Sequence, residues 1–131
     1  MDFNQHMRNA AYLGWGEETR MRFLDAHGFT MSEFARRKLG PVVVEDRLTY
    51  RKELRLLEPF QVDLALAAIT DDARKMKVRN RFLRSSDGAL CATLESVVLW
   101  FDLAARAPIV PPPDLRDLWL SVLRTEDFAP Y

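Results

Sequence analysis

Apolar residues recur at helical spacing from about Asn9 to Ala26. Ala10, Leu13, Met21 and Leu24 form one set, and Tyr12, Trp15 or Gly16, and Phe23 form a second. This predicts one long helix, with Gly28 just past His27 as its stop signal. Gly14 and Gly16 each weaken helix propensity by roughly 1 kcal/mol relative to Ala, and a glycine inside a helix lets another backbone or a ligand come close. Thr30-Met31-Ser32-Glu33-Phe34 opens a second, short helix with Thr30 or Ser32 as cap, ending near Gly40-Pro41.

Beyond Pro41 the period changes to two. Val42, Val44, Leu48 and Tyr50 are expected on one face of a strand. Phe60, Val62, Leu64, Leu66 and Ala68 are expected on one face of the next. In a third strand Met76, Val78 and Phe82 lie opposite Lys75, Lys77, Arg79 and Arg81. Leu90 to Leu103 is apolar on both sides, with Leu90, Ala92, Leu94, Val98 and Trp100 on one and Val97, Leu99 and Phe101 on the other, which reads as an inner strand. Asp71-Asp72 and Ser85-Ser86-Asp87-Gly88 supply turns. Pro111 to Pro113 ends the sheet, and Asp114 to Arg124 reads as a closing helix.

These lengths fit together. A helix of about eighteen residues is roughly 27 Å long, and a strand of about nine residues is roughly 30 Å. One helix can run nearly the length of such strands, but it cannot cover both faces of four of them. A homo-oligomer, dimer or tetramer, is therefore expected, and sheet extension across a two-fold axis would also hide an edge strand.

Composition narrows the function classes. The 131 residues suggest one domain spanning 1–131. The 19 basic and 19 acidic side chains balance to a formal net charge of zero, which argues against nucleic acid as a partner because phosphate binding leaves a basic footprint. The lone Cys91 cannot form an internal disulfide, and neither histidine stands in metal-ligand spacing with it. No apolar run is long enough to span a bilayer and the N-terminus lacks a signal-peptide pattern, so a cytoplasmic protein without membrane partners is expected. Nucleophile-elbow, Walker and dinucleotide-binding motifs are all missing.

The candidate chemistry lies at the start of the chain. Asp2 precedes a short polar turn, Asn4-Gln5-His6, that feeds a helix N-terminus. Such a turn can hold a carboxylate beside unpaired backbone N–H groups. Asn4 and Asn9 suit turn and capping positions, and His6 suits either local capping or substrate positioning. Tyr12 shares the core side of the helix, so it reads as buried or as a wall of a binding site. Glu17 can reach toward the helix N-terminus or pair with Arg20 at i,i+3. The row that includes Lys77 and Arg79 reads as a solvated face or as a phosphate contact.

Asp2, His6, Asn9 and Tyr12, followed by a helix carrying Glu17 and Arg20 as Glu-x-x-Arg, resemble the active-site segment of hotdog-fold acyl-CoA thioesterases of the 4-hydroxybenzoyl-CoA thioesterase type. Pro41 to Leu54 is similar to that family's first long strand after the helix. Val98 to Asp102, with Arg106-Ala107-Pro108 and Pro111 to Leu115, is similar to its last strand and exit. Gln5 stands where the family usually has Gly, and Arg8 where a second Asn is common. The family also carries a strand before the aspartate, whereas Met1 alone precedes Asp2. The expectation is therefore an α+β hotdog domain, one long helix wrapped by an antiparallel sheet, with the family's first strand lost or encoded upstream.

The resemblance implies hydrolysis of an acyl-CoA thioester, with coenzyme A entering as part of the substrate and no metal or redox cofactor. Asp2 takes the catalytic position, as nucleophile or base, and the Asn9 N–H, joined by Ala10, takes the oxyanion position. His6 and Glu17 are further catalytic candidates; Asn4, Tyr12, Lys77 and Arg79 are candidate substrate contacts. Two other readings remain: a hotdog hydratase acting on enoyl thioesters, and a non-catalytic acyl-binding or assembly module.

Overall fold

A computed structural model describes residues 8–55 and 57–131 of the chain. Asp2, Asn4 and His6 lie outside the described residues. Helix α1 spans Asn9–Ala26, the range that the periodicity predicts. It stops where expected: Gly28 adopts a φ of 90°, its N–H donates to the Asp25 carbonyl (3.2 Å), and the Phe29 N–H donates to the Leu24 carbonyl (2.9 Å). A left-handed residue just past a helix favours glycine because no Cβ clashes there. The buried stripe of α1, however, is Tyr12, Gly16, Arg20 and Leu24, at steps of four. Two of the four are not apolar, so a count of apolar positions misses the stripe; Leu13 and Trp15, expected inside, are 38% and 42% exposed.

Helix α2 covers Met31–Arg37, capped by the Thr30 hydroxyl, which accepts from the Glu33 N–H (3.1 Å). The chain then turns through Lys38 into strand β1, Leu39–Tyr50. Strands β2 (Phe60–Val62), β3 (Ala65–Ile69), β4 (Lys75–Arg84) and β5 (Leu90–Asp102) follow, and the two-residue β6 (Ala107–Pro108) pairs with the end of β5. Helix α3 runs from Pro113 to Leu120 and strand β7 from Arg124 to Pro130. The sheet order is β1-β5-β4-β3-β7, with β2 beside β4 in line with β3. Among the described residues every pairing is antiparallel except β3 with β7.

Three details correct the expectation. A bulge at Val44 shifts the β1 register, so Val43 pairs with Val98 while Asp46, Leu48 and Tyr50 pair with Ser96, Leu94 and Ala92. The face toward α1 therefore carries Val43, Asp46, Leu48 and Tyr50, and Val42 lies on the other side. A bulge at Ala67 likewise turns Ala68 away from Leu66 and opposite Lys77. An extra residue in one strand inverts the alternation beyond it. Finally, the closing helix ends at Leu120, and the chain returns as β7 instead of continuing helical to Arg124.

β5 is an inner strand between β1 and β4, as expected. Its Ala92, Leu94, Val98 and Trp100 face α1 and are buried. The core divides into two clusters. One gathers Leu24, Phe34, Trp100, Leu115 and Trp119 at the C-terminal end of α1; the other gathers Tyr12, Leu54, Phe82 and Leu94 beneath its N-terminal end. Among the described residues no helix is long and apolar enough to cross a membrane.

Candidate active site

Asn9 is the first residue of α1. Arg8, at the cap position, is extended and provides no side-chain cap. Its carbonyl accepts from the Ala11 and Tyr12 N–H groups (3.0 and 3.2 Å). The N–H groups of Asn9 and Ala10 have no acceptor among the described residues. They stand at the positive end of the helix dipole, where an anion is favoured.

The Asn9 side chain is tied to the sheet. The Tyr50 hydroxyl, on the α1-facing side of β1, donates to the Asn9 side-chain oxygen. The Tyr50 ring meets Tyr12 edge-on at 5.6 Å between centroids, and Tyr12 meets Phe82 edge-on at 5.0 Å. Partial burial raises the Tyr50 phenol above its ordinary value, so it stays protonated and remains a donor. Tyr12 is 2% exposed and forms the floor beneath the helix N-terminus.

One turn further along the buried stripe, Gly16 brings α1 very close to the sheet. A Cβ at this position would lie 2.4 Å from Leu94 Cδ2 and 3.1 Å from Asn80 Oδ1, whereas one at Gly14 would meet nothing within 4 Å. Of the two glycines, Gly16 is therefore the one that the packing requires.

Another turn on, Arg20 is buried. Its Nη1 donates to Ser96 Oγ (3.2 Å), and the Ser96 hydroxyl donates to Asp46 Oδ1 (2.5 Å). Burial lowers the Arg20 pKa, and the charges of Asp46 and Glu17 oppose that shift. Arg20 borders a cavity of about 620 Å³ between α1 and β1, with Leu13, Glu17, Met21, Val43 and Asp46 among its other walls. Asn9 shares the flank of α1 that carries Leu13, Glu17 and Leu24, and Leu13, one turn on, is the first residue of the helix to line this cavity.

The structure thus brings Asn9 and Tyr12 together and places Glu17 in the adjoining cavity, two turns or about 12 Å along the axis from Asn9. Among the described residues Glu17 makes no contact ion pair with Arg20, which binds Ser96 instead. Lys77 and Arg79 project from the opposite side of the sheet, since their neighbours Val78 and Asn80 are the ones facing α1. Arg79 is committed to Asp127 through two bonds of 2.9 Å and to Glu95 at 3.2 Å. Lys77 and Lys75 approach the Tyr131 ring, at 5.8 and 4.5 Å from its centroid.

Sequence reasoning missed Tyr50, Asp46, Ser96 and the burial of Arg20. Two signals were present. Arg20 sits at the four-residue step from Gly16 and Leu24, and Ser96 is the polar member of an otherwise apolar strand face.

The sequence model of the thioesterase-like superfamily matches residues 1–118. Among solved structures, the chain is similar to a hypothetical protein from Staphylococcus aureus in complex with CoA, at 23% identity, over 95% of this chain and 79% of that one, with a TM-score of 0.84. It is also similar to a DHNA-CoA thioesterase from the same organism, at 15% identity, over 92% and 80% of the two chains, with a TM-score of 0.80. A third likeness is to a 1,4-dihydroxy-2-naphthoyl-CoA thioesterase from Synechocystis, at 11% identity, over 92% and 88%, with a TM-score of 0.81. At such identities the shared fold, a hotdog, is what the structures establish. With the superfamily match running through α1, strands β1 to β6 and most of α3, the chain belongs to the thioesterase-like superfamily of thioester hydrolases.

Proposed function

We propose that this chain hydrolyses acyl-CoA thioesters, with the reacting carbonyl at the N-terminus of α1. The observation that carries this reading is the pair of Asn9 and Ala10 N–H groups, unpartnered among the described residues, beside the Tyr50–Asn9 bond and one turn before Leu13, the first wall of a largely apolar cavity. A thioester carbonyl oxygen placed there receives two preorganised donors as it becomes a tetrahedral oxyanion. Asp2, seven residues before Asn9, supplies the carboxylate that attacks the carbonyl carbon or removes a proton from the attacking water. His6 and Asn4, in the intervening sequence, are proposed to orient the thioester. Glu17 is proposed to meet the acyl group in the cavity, and the leaving thiolate departs with the rest of coenzyme A.

The functional unit is proposed to be a homo-oligomer joined along β1. Among the described residues that strand pairs only with β5, which leaves one edge of its twelve residues without a described neighbour. Val43 and Val44 on it are 39% and 53% exposed. An open, apolar strand of this length is a template for a second copy.

Asp2→Asn tests the catalytic assignment. It keeps the shape of the side chain and removes its charge and basicity, so turnover of the best acyl-CoA is expected to fall by about 10²–10⁴ with folding intact. A variant that retains full activity removes Asp2 from the chemistry.

A further inference from the structure

Among the described residues Arg20 is the one buried charged side chain, and it faces the cavity beside the candidate site. It is 9% exposed, and among the described residues its one side-chain partner is a neutral hydroxyl, Ser96. Among the described residues no carboxylate oxygen makes a salt bridge with it. A guanidinium carries five N–H donors, and those that Ser96 does not take are not sealed in the core without a partner. Arg20 also lines the cavity that runs along α1 from Leu13, whose remaining walls are mostly aliphatic or methionine side chains. A cation with unused donors in an apolar chamber points to an oxygen supplied by the ligand.

The charges along the wall indicate what kind of oxygen. Glu17 and Asp46 border the same cavity, so its lining has two carboxylates to one cation. A second carboxylate on the ligand would meet net repulsion. A hydroxyl suits the wall better, since it accepts from Arg20 and can donate to a neighbouring carboxylate. The shape of the chamber indicates the scaffold: Met21, Met31 and Met76 line it, and methionines adapt to flexible chains more readily than they form a slot for a flat ring. Length follows from the helix. Asn9 and Arg20 are eleven residues apart, about 16 Å along the axis, and the Arg20 side chain leans back toward the N-terminus. That span suits an aliphatic chain of medium length.

Resting on the thioesterase reading above, we propose that Arg20 is a specificity-determining residue that selects medium-chain acyl groups carrying a hydroxyl at the end remote from the thioester. Ser96 and Asp46 hold the guanidinium for this contact.

The test compares kcat/KM for ω-hydroxydecanoyl-CoA, decanoyl-CoA and ω-carboxynonanoyl-CoA with the full chain. The hydroxylated substrate is expected to lead decanoyl-CoA by about 10- to 100-fold, the worth of one hydrogen bond to a charged group, and the carboxylated one to come last. Arg20→Met should bring the ratio of the first two toward unity. Equal wild-type values, a lead for the carboxylate, or a ratio unchanged in Arg20→Met overturns the proposal. Should Arg20→Met fail to fold, Arg20→Lys carries the test: a reduced ratio supports the assignment and an unchanged one overturns it. If none of the three is hydrolysed, the thioesterase reading falls. Calorimetric binding of the same three compounds then decides the specificity, with the same order expected and any other order overturning it.

Discussion

Gly16→Ala, paired with Gly14→Ala, isolates how tightly α1 is pressed onto the sheet. Both changes add one methyl group to the interior of the same helix, and each gains about 1 kcal/mol of helix propensity. Their surroundings differ. The Gly14 methyl enters open space, whereas the Gly16 methyl arrives 2.4 Å from Leu94 Cδ2 and 3.1 Å from Asn80 Oδ1. Leu94 is itself buried against Tyr12 and Phe82, so its side chain has little room to yield. Overpacking of this kind costs typically about 1–3 kcal/mol, which outweighs the propensity gain at Gly16 and is absent at Gly14. For a chain of this size, 1 kcal/mol corresponds to roughly 3–5 °C in Tm. Gly14→Ala should therefore melt a few degrees higher than the wild type, and Gly16→Ala a few degrees lower. In a Leu94→Ala background the clash is relieved, and Gly16→Ala should turn stabilising. Thermal unfolding of the four variants reads these signs. If Gly16→Ala raises Tm as much as Gly14→Ala does, the close approach of helix and sheet is refuted. The same shift should appear in function, because a site displaced by about 1 Å can lose on the order of 10²-fold in rate.

Two further outcomes are expected. The hydrogen bonds from Arg36 and then Arg37 hold the Glu33 carboxyl at about 2, below its ordinary 4.5. A depressed carboxylate stabilises the fold above its unfolded pKa and ceases to as pH falls through the folded one. The Tm advantage of wild type over Glu33→Gln should therefore be present above pH 4.5 and fade between there and pH 2, remaining small because the cluster lies at the surface with Arg36 exposed; a difference that does not change with pH contradicts this. The protein should also sediment as a dimer or larger at micromolar concentration, with Val44→Lys on the open β1 edge shifting it toward monomer. An active wild-type monomer rules out the shared-edge assembly.

The boundaries of α1, the cap at Thr30, the turn glycine at Gly28 and the inner position of β5 could all be read from the chain, because each depends on neighbours within a few residues. Helix periodicity, the missing Cβ of glycine and the hydroxyl of Thr30 act locally. The Asp2, His6, Asn9 and Tyr12 spacing was likewise enough to suggest the family, since a motif around a helix N-terminus is contiguous in sequence. What the chain alone did not reveal depends on distant partners. β7 is a short, charged segment with no strand-like alternation, yet Asp127 meets Arg79 and Tyr131 lies beside Lys75 and Lys77. These contacts join residues far apart in sequence and cover the basic row that otherwise reads as open. The bulges at Val44 and Ala67 depend on how each strand registers against its neighbour, and each reverses which residues face α1 beyond it. Arg20 is the clearest case. By composition a helix arginine is a surface residue, and only the packing that brings Ser96 and Asp46 alongside it turns it into a buried cation at the wall of the cavity. Its burial depends on desolvation and pairing across the fold, and tertiary structure alone decides those.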